Sequence, residues 1–85
     1  MFFEVIISDH GLRELNRLPE KERDAILEKI RLFLRDNPFP HGKNPKKLSG
    51  QHGYRFRVGN YRVLYYIEKG AVVIYSIGNR KDVYR

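Results

Sequence analysis

Arg55, Arg57 and Arg62 recur within the aromatic stretch YRFRVGNYRVLYYI, and Arg80 and Arg85 follow towards the C-terminus. A guanidinium is planar, permanently charged and able to grip two phosphate oxygens at once. A cluster of them suits a phosphodiester and the added negative charge of its pentacoordinate transition state. Whether these arginines cluster depends on strand register. Gly59-Asn60 is a two-residue turn signal between two alternating runs, and it sets Val58 against Tyr61, Arg57 against Arg62, Phe56 against Val63 and Arg55 against Leu64. Side chains alternate along each strand, so Arg55, Arg57 and Arg62 emerge on one face while Tyr54, Phe56, Val58, Tyr61, Val63 and Tyr65 occupy the other. Like charges opposed across strands cost a few tenths to about 1 kcal/mol, and no acidic residue lies in these runs to offset it. An anionic occupant is therefore expected. Tyr66 and Tyr84, interleaved with the arginines, are suited to stacking a base, although ordinary packing accounts for Tyr66 equally well. Lys43, Lys46 and Lys47 either track a polyanion backbone or are simply solvated.

The elements that must hold this cluster can be read outward from it. Glu68-Lys69-Gly70 makes a second turn, and Ala71 to Ile77 is an apolar run suited to a central strand covered on both faces. At the other end of the chain, Phe3, Val5 and Ile7 alternate with Phe2, Glu4 and Ile6, which reads as a first strand. Ser8 or Asp9 then offers a helix N-cap. Leu12, Leu15 and Leu18 lie at helical spacing, and Pro19 ends that helix while suiting the first turn of the next. From Glu20 to Arg35 a second helix carries Ile26, Ile30, Phe33 and Leu34 on its apolar face, with Leu27 beside them; Glu22, Asp24, Glu28, Lys29 and Arg31 point away. Asn37-Pro38 closes it. The segment from Asn37 to Gly53, with its prolines, glycines and lysines, reads as a basic surface loop. The expected fold is α+β: an N-terminal strand, a two-helix hairpin, then a three-strand antiparallel meander with the helices packed on one face of the sheet.

Composition narrows the function classes. At 85 residues the chain fits a single domain, residues 1–85, and leaves no room for a second core. It has no cysteine, so disulfides, thiolate nucleophiles and cysteine-ligated metals drop out, and His10, His41 and His52 lack metal-ligand spacing. No metal or other cofactor is expected. No apolar run approaches the ~18 residues of a membrane span, and MFFEVIISDH is too short for a signal peptide and is acidic where such a peptide is basic. A cytoplasmic location is expected. The net charge of +7 is unevenly spread: residues 1–36 hold seven basic against eight acidic side chains, and residues 37–85 hold ten against two. A balanced scaffold joined to a basic surface points to a polyanionic partner, with nucleic acid first and an acidic protein second.

The stretch KKLSGQHGYRFRVGNYRVLYYI, together with the terminal IGNRKDVYR, resembles the RelE/ParE toxin superfamily and is most similar to its RelE branch. The G-N-Y-R-V hairpin and the closing G-x-R-x-x-V-Y are the most diagnostic parts, and the preceding strand–helix–helix order matches the fold of that family. The resemblance implies a toxin of a type II toxin–antitoxin system, acting as a ribosome-dependent endoribonuclease on messenger RNA in the A site. A cognate antitoxin would hold it inactive. It further implies a metal-independent reaction in which the ribose 2′-hydroxyl attacks the adjacent phosphate and leaves a cyclic phosphate and a free 5′-hydroxyl. Carried over by position, the catalytic set is Arg55, Arg57, Arg62, Arg80 and Tyr84. Arg62 and Arg80 would stabilise the phosphorane charge, and Tyr84 would position or deprotonate the nucleophile. Lys43, Lys46, Lys47, Tyr66 and Arg85 are the RNA-binding candidates.

RelE proteins often carry lysine where this chain has Arg55 and Arg57, and guanidinium essentially cannot exchange protons near neutrality. Those two arginines then act as electrostatic clamps, and proton transfer falls to Tyr84, to ribosomal groups, or to His52 as acid or base from the loop. Two other functions fit the same fold: inhibition of DNA gyrase, as in the ParE branch, and binding of RNA without catalysis. In each case the partner expected is an acidic or amphipathic antitoxin segment wrapped over the arginine face.

Overall fold

Ser8 is extended (φ −63°, ψ 162°), and its hydroxyl accepts a hydrogen bond from the Gly11 N–H at 3.0 Å, so the first helix starts at the cap expected of a serine. The computed structural model describes residues 2–48 and 52–79. In it, strand β1 (Glu4–Ile7) leads through Ser8 into helix α1 (Asp9–Asn16). This helix begins three residues before Leu12, at the position the Ser8 cap sets. Gly11 lets it close on the sheet, since a Cβ there would meet the Ile74 carbonyl at 3.2 Å. Pro19 stands at the N-cap of α2 (Glu20–Lys29), just outside the first turn, and its carbonyl accepts from the Arg23 N–H at 2.9 Å.

The second helix does not run on as a uniform α-helix to Arg35. From Ile30 to Leu34 it widens into a π-turn, in which the Arg35 N–H reaches back to the Ile30 carbonyl at 2.9 Å. Each residue then advances less around the axis. Ile26, Ile30 and Leu34 stay buried, whereas Phe33, expected on the apolar face, is 53% exposed beneath the Lys29 ammonium, and Leu27 is exposed as well.

The sheet has five strands rather than four, in the order β1-β5-β4-β3-β2. The addition is β2 (Lys46–Lys47), inside the segment expected to be loop throughout, which pairs antiparallel with β3 (Tyr54–Val58) at the sheet edge. Then come β4 (Tyr61–Glu68) and β5 (Ala71–Asn79), antiparallel to their neighbours, while β1 lies parallel to β5. Beyond the end of β1, the Glu14 carboxylate of α1 takes over the exposed edge of β5, accepting from the Ile77 N–H and the Ser76 hydroxyl, each at 2.9 Å.

One face of the sheet is covered by the helices, as expected. Leu15, Ile26, Ile30 and Leu34 pack there against Phe56, Val63, Tyr65, Val72, Ile74 and Ile77. Ile74 and Ile77 are three apart, and both reach this core because β5 bulges between its pairings with Leu64 and Tyr65, leaving Tyr75 as the extra residue. On the other face Val73 and Tyr75 are only half-buried, so β5 is less fully covered than its apolar sequence indicates. Tyr65 is fully buried and donates its hydroxyl hydrogen bond to the Pro38 carbonyl, which ties the end of the helical region to the sheet. Burial, with the neighbouring Tyr54 adding to it, pushes the Tyr65 phenol well above its ordinary pKa. No described helix is long and apolar enough to cross a membrane.

Candidate nucleic-acid interface

The Gly59-Asn60 turn has φ +59° at Gly59, a backbone conformation that glycine adopts without strain and that matches the twist of a two-residue hairpin. The register that follows is the expected one: Val58 opposite Tyr61, Arg57 opposite Arg62, Phe56 opposite Val63 and Arg55 opposite Leu64. Phe56, Val63 and Tyr65 belong to the core, so Arg55, Arg57 and Arg62 share the opposite face. On β5 the residue facing Arg62 is Gly78, which places no side chain beside the arginine stem.

The three arginines are not equivalent. Arg57 is exposed and Arg55 half-buried, whereas Arg62 is only 5% exposed. Arg62 Nε and Arg55 Nη1 are both buried without a hydrogen-bond partner. Among the described residues, no carboxylate lies within ion-pair distance of any of the three. A guanidinium cannot relieve this by losing its proton, and an unsatisfied buried donor costs about 1–3 kcal/mol, more when charged. The face is thus set up to gain from an anion that supplies oxygen acceptors. Beneath the charges, Leu64 is buried and forms an apolar floor.

The lysines expected to act together are divided by register. Lys46 pairs with Arg55 and therefore lies on the arginine face; Lys47 pairs with Tyr54 and does not. Lys47 instead lines a cavity of about 330 Å³ at the end of the sheet with His52, Gly53, Tyr54, Tyr66 and Ile67. Lys43 is exposed in the loop before β2. Tyr66 lies on the arginine face four positions beyond Arg62, roughly 13 Å along the strand, and His52 is its ring neighbour at 6.3 Å. Arg80, Tyr84 and Arg85 lie outside the described residues.

Two contributors escape sequence reading. Asn44 presents its side-chain amide to the backbone of Arg57, donating to the Arg57 carbonyl at 2.9 Å and accepting from the Arg57 N–H at 2.6 Å. It therefore prolongs the ladder past the two residues of β2 and holds the strand that carries Arg57. Tyr75 is the other, brought beside Tyr66 by the β5 bulge. Asn44 sits in an Asn-Pro dipeptide that signals only a turn, and nothing in the alternation of β5 marks a bulge.

A family model described as the ParE toxin of type II toxin–antitoxin system, parDE, matches residues 5–84. The chain belongs to the RelE/ParE superfamily of type II toxins. A protein named Toxin RelE from Mycobacterium tuberculosis is 38% identical to this toxin over 86 residues, covering 98% of this chain and 87% of its own. Among solved structures, the RelBE2 toxin–antitoxin complex of M. tuberculosis superposes with a TM-score of 0.82 at 26% identity, covering 94% of this chain and all of the matched one. The archaeal RelE–RelB complex of Pyrococcus horikoshii OT3 gives a TM-score of 0.75 at 29% identity, with 98% of this chain and 100% of the matched one covered. The likeness places this toxin in the RelE-like branch, as the hairpin and terminal motifs indicated, and the strand–helix–helix–sheet order is the fold it shares with these relatives.

Proposed function

We propose that this toxin is a ribosome-dependent, metal-independent endoribonuclease that cuts messenger RNA by 2′-hydroxyl attack on the adjacent phosphate. The observation that carries the reading is Arg62: a permanently charged side chain, nearly fully buried, directly opposite Arg57 and with a donor left unpartnered. Such an arrangement is costly for a resting protein and favourable for one that receives a phosphate there. Arg62, with Arg80, stabilises the two negative charges of the phosphorane. Arg55 and Arg57 hold the non-bridging oxygens and fix the in-line geometry, and Lys46 extends this row along the RNA backbone. Lys43, Lys47 and Arg85 add weaker phosphate contacts.

Proton transfer requires groups other than the arginines. Tyr84 takes up the 2′-hydroxyl proton or orients that hydroxyl, and His52 is the remaining titratable candidate. Because His52 neighbours Tyr66 rather than the arginines, it stands closer to a flanking nucleotide than to a phosphate held at Arg62. The relatives crystallised with RelB support a cognate antitoxin as the inhibitory partner, its acidic segment covering the arginine face and bringing carboxylates to it.

The test is cleavage of a defined message in a translating extract, with 5′ ends mapped. Wild-type toxin should produce cuts phased to codons, and Arg62→Ala should lower the rate by about 10²-fold or more, the usual effect of removing one transition-state donor. Intact messages in the presence of wild-type toxin would reject the reading. The description of the matching family model favours one alternative, a ParE-like inhibitor of DNA gyrase. Loss of supercoiling activity with RNA left whole would establish that instead.

A further inference from the structure

Around Tyr66 the sheet assembles a row of aromatic rings. His52, which leads into β3, lies 6.3 Å from it between ring centroids and is tilted by 43°; Tyr75, on β5, lies 6.1 Å away and is tilted by 34°. Neither neighbour is stacked flat on the Tyr66 ring, so stacking within the row does not consume its face. The row is held from both ends. The Tyr75 hydroxyl donates to the His52 carbonyl at 3.5 Å, and the Leu48 N–H donates to the Gly53 carbonyl at 3.0 Å. Gly53, at φ +106°, lets the loop press on β4, for a Cβ there would lie 2.6 Å from the Tyr65 carbonyl oxygen.

Beside this row is the cavity of about 330 Å³ that Lys47 shares with His52 and Tyr66, near the lower limit of the roughly 300–1,000 Å³ typical of small-molecule sites. An aromatic wall, a cation and room for one planar group are the elements by which single-stranded nucleic acid is held without a hydrogen-bond code. The row shares a face with Arg62 but stands well away from it along β4, so what it meets is the base of a flanking nucleotide rather than the phosphate under attack.

We propose that His52, Tyr66 and Tyr75, with Lys47, form a nucleobase subsite in which Tyr66 stacks an unpaired base next to the cleaved step. This rests on the ribonuclease reading and extends it from phosphate chemistry to base recognition. Stacking strength grows with ring area, so the subsite favours a purine over a pyrimidine at that one position.

The experiment uses the toxin with ribosomes programmed with short messages whose A-site codon is 2′-O-methylated and so lacks the attacking hydroxyl, with 2-aminopurine placed at each position of and beside that codon in turn. Wild type should quench the fluorophore strongly at one position. Tyr66→Phe should keep both quenching and affinity, whereas Tyr66→Ala should lose the quenching and weaken binding about tenfold, with KM for message cleavage raised and kcat largely retained. Tyr66→Leu, which retains apolar bulk, should behave like Tyr66→Ala and separates ring stacking from simple packing. Wild-type affinity and quenching in Tyr66→Leu, with cleavage intact, would overturn the subsite and leave the ribonuclease standing. A wild-type toxin that neither binds nor cleaves RNA would remove both. Loss of antitoxin binding in the Tyr66 variants, with RNA binding unchanged, would reassign the row to a protein interface and likewise overturn the proposal.

Discussion

The two faces of the β3–β4 hairpin share one backbone and one register but satisfy opposite requirements. On the helix side, Phe56, Val63 and Tyr65 are buried, and the one polar group among them, the Tyr65 hydroxyl, donates to the Pro38 carbonyl. On the other side Arg62 is buried almost as deeply, opposite Arg57, with its Nε unpartnered. The first face follows the rule that buried polar groups are paired; the second departs from it at two neighbouring donors, Arg62 Nε and Arg55 Nη1. A local departure within an otherwise consistent fold is where function is expected, because stability is given up there for interactions completed only when a ligand arrives.

The contrast breaks most sharply at the core. Ile74→Ala, on the helix side, should lose about 2–5 kcal/mol in urea denaturation, since it leaves a cavity against Leu15, Val63 and their neighbours. Arg62→Met, on the other side, should do the reverse. It should raise stability by about 1–3 kcal/mol, read as a higher midpoint at unchanged slope, while cleavage is lost. A destabilised Arg62→Met would mean that the buried guanidinium is a structural group and would collapse the distinction between the faces.

Smaller changes sharpen it. Tyr65→Phe strands the Pro38 carbonyl and should cost about 1–3 kcal/mol. The same tyrosine makes the fold sensitive to alkali. Its phenol is held neutral by burial, with a pKa raised above the ordinary value of 10.0, so the unfolded chain releases that proton first as the pH rises. Its contribution is complete below about pH 10 and falls away above that, and pH-dependent melting should show a decline there that Tyr65→Phe reduces. Smallest is Asn44→Ala, which uncaps the edge of β3 at Arg57. About 1 kcal/mol of stability should go, with a cleavage loss below that of Arg62→Ala.

Much of this was legible in the residues. Gly59-Asn60 between two alternating runs specifies a register, and with a period of two that register decides which side chains share a face. Ser8 as a cap and Ile26, Ile30 and Leu34 as a helical stripe are likewise local signals. Local periodicity fails where the backbone changes its own period. The π-turn removed Phe33 from the core, and the β5 bulge sent Ile77 inward and Tyr75 outward. Lys46 and Lys47 read as loop because a two-residue strand has no period, and its pairing is set by a distant partner.

The order of the two helices and the four longer strands, the sign of the charge and the facing of Arg55, Arg57 and Arg62 were determined by the sequence alone, because turn chemistry and side-chain alternation act over a few residues. The burial of Arg62, the support of Arg57 by Asn44, the separation of Lys46 from Lys47 and the gathering of His52, Tyr66 and Tyr75 were decided only by the tertiary structure. Each depends on contacts between segments far apart in the chain, whose geometry exists only once the sheet has formed.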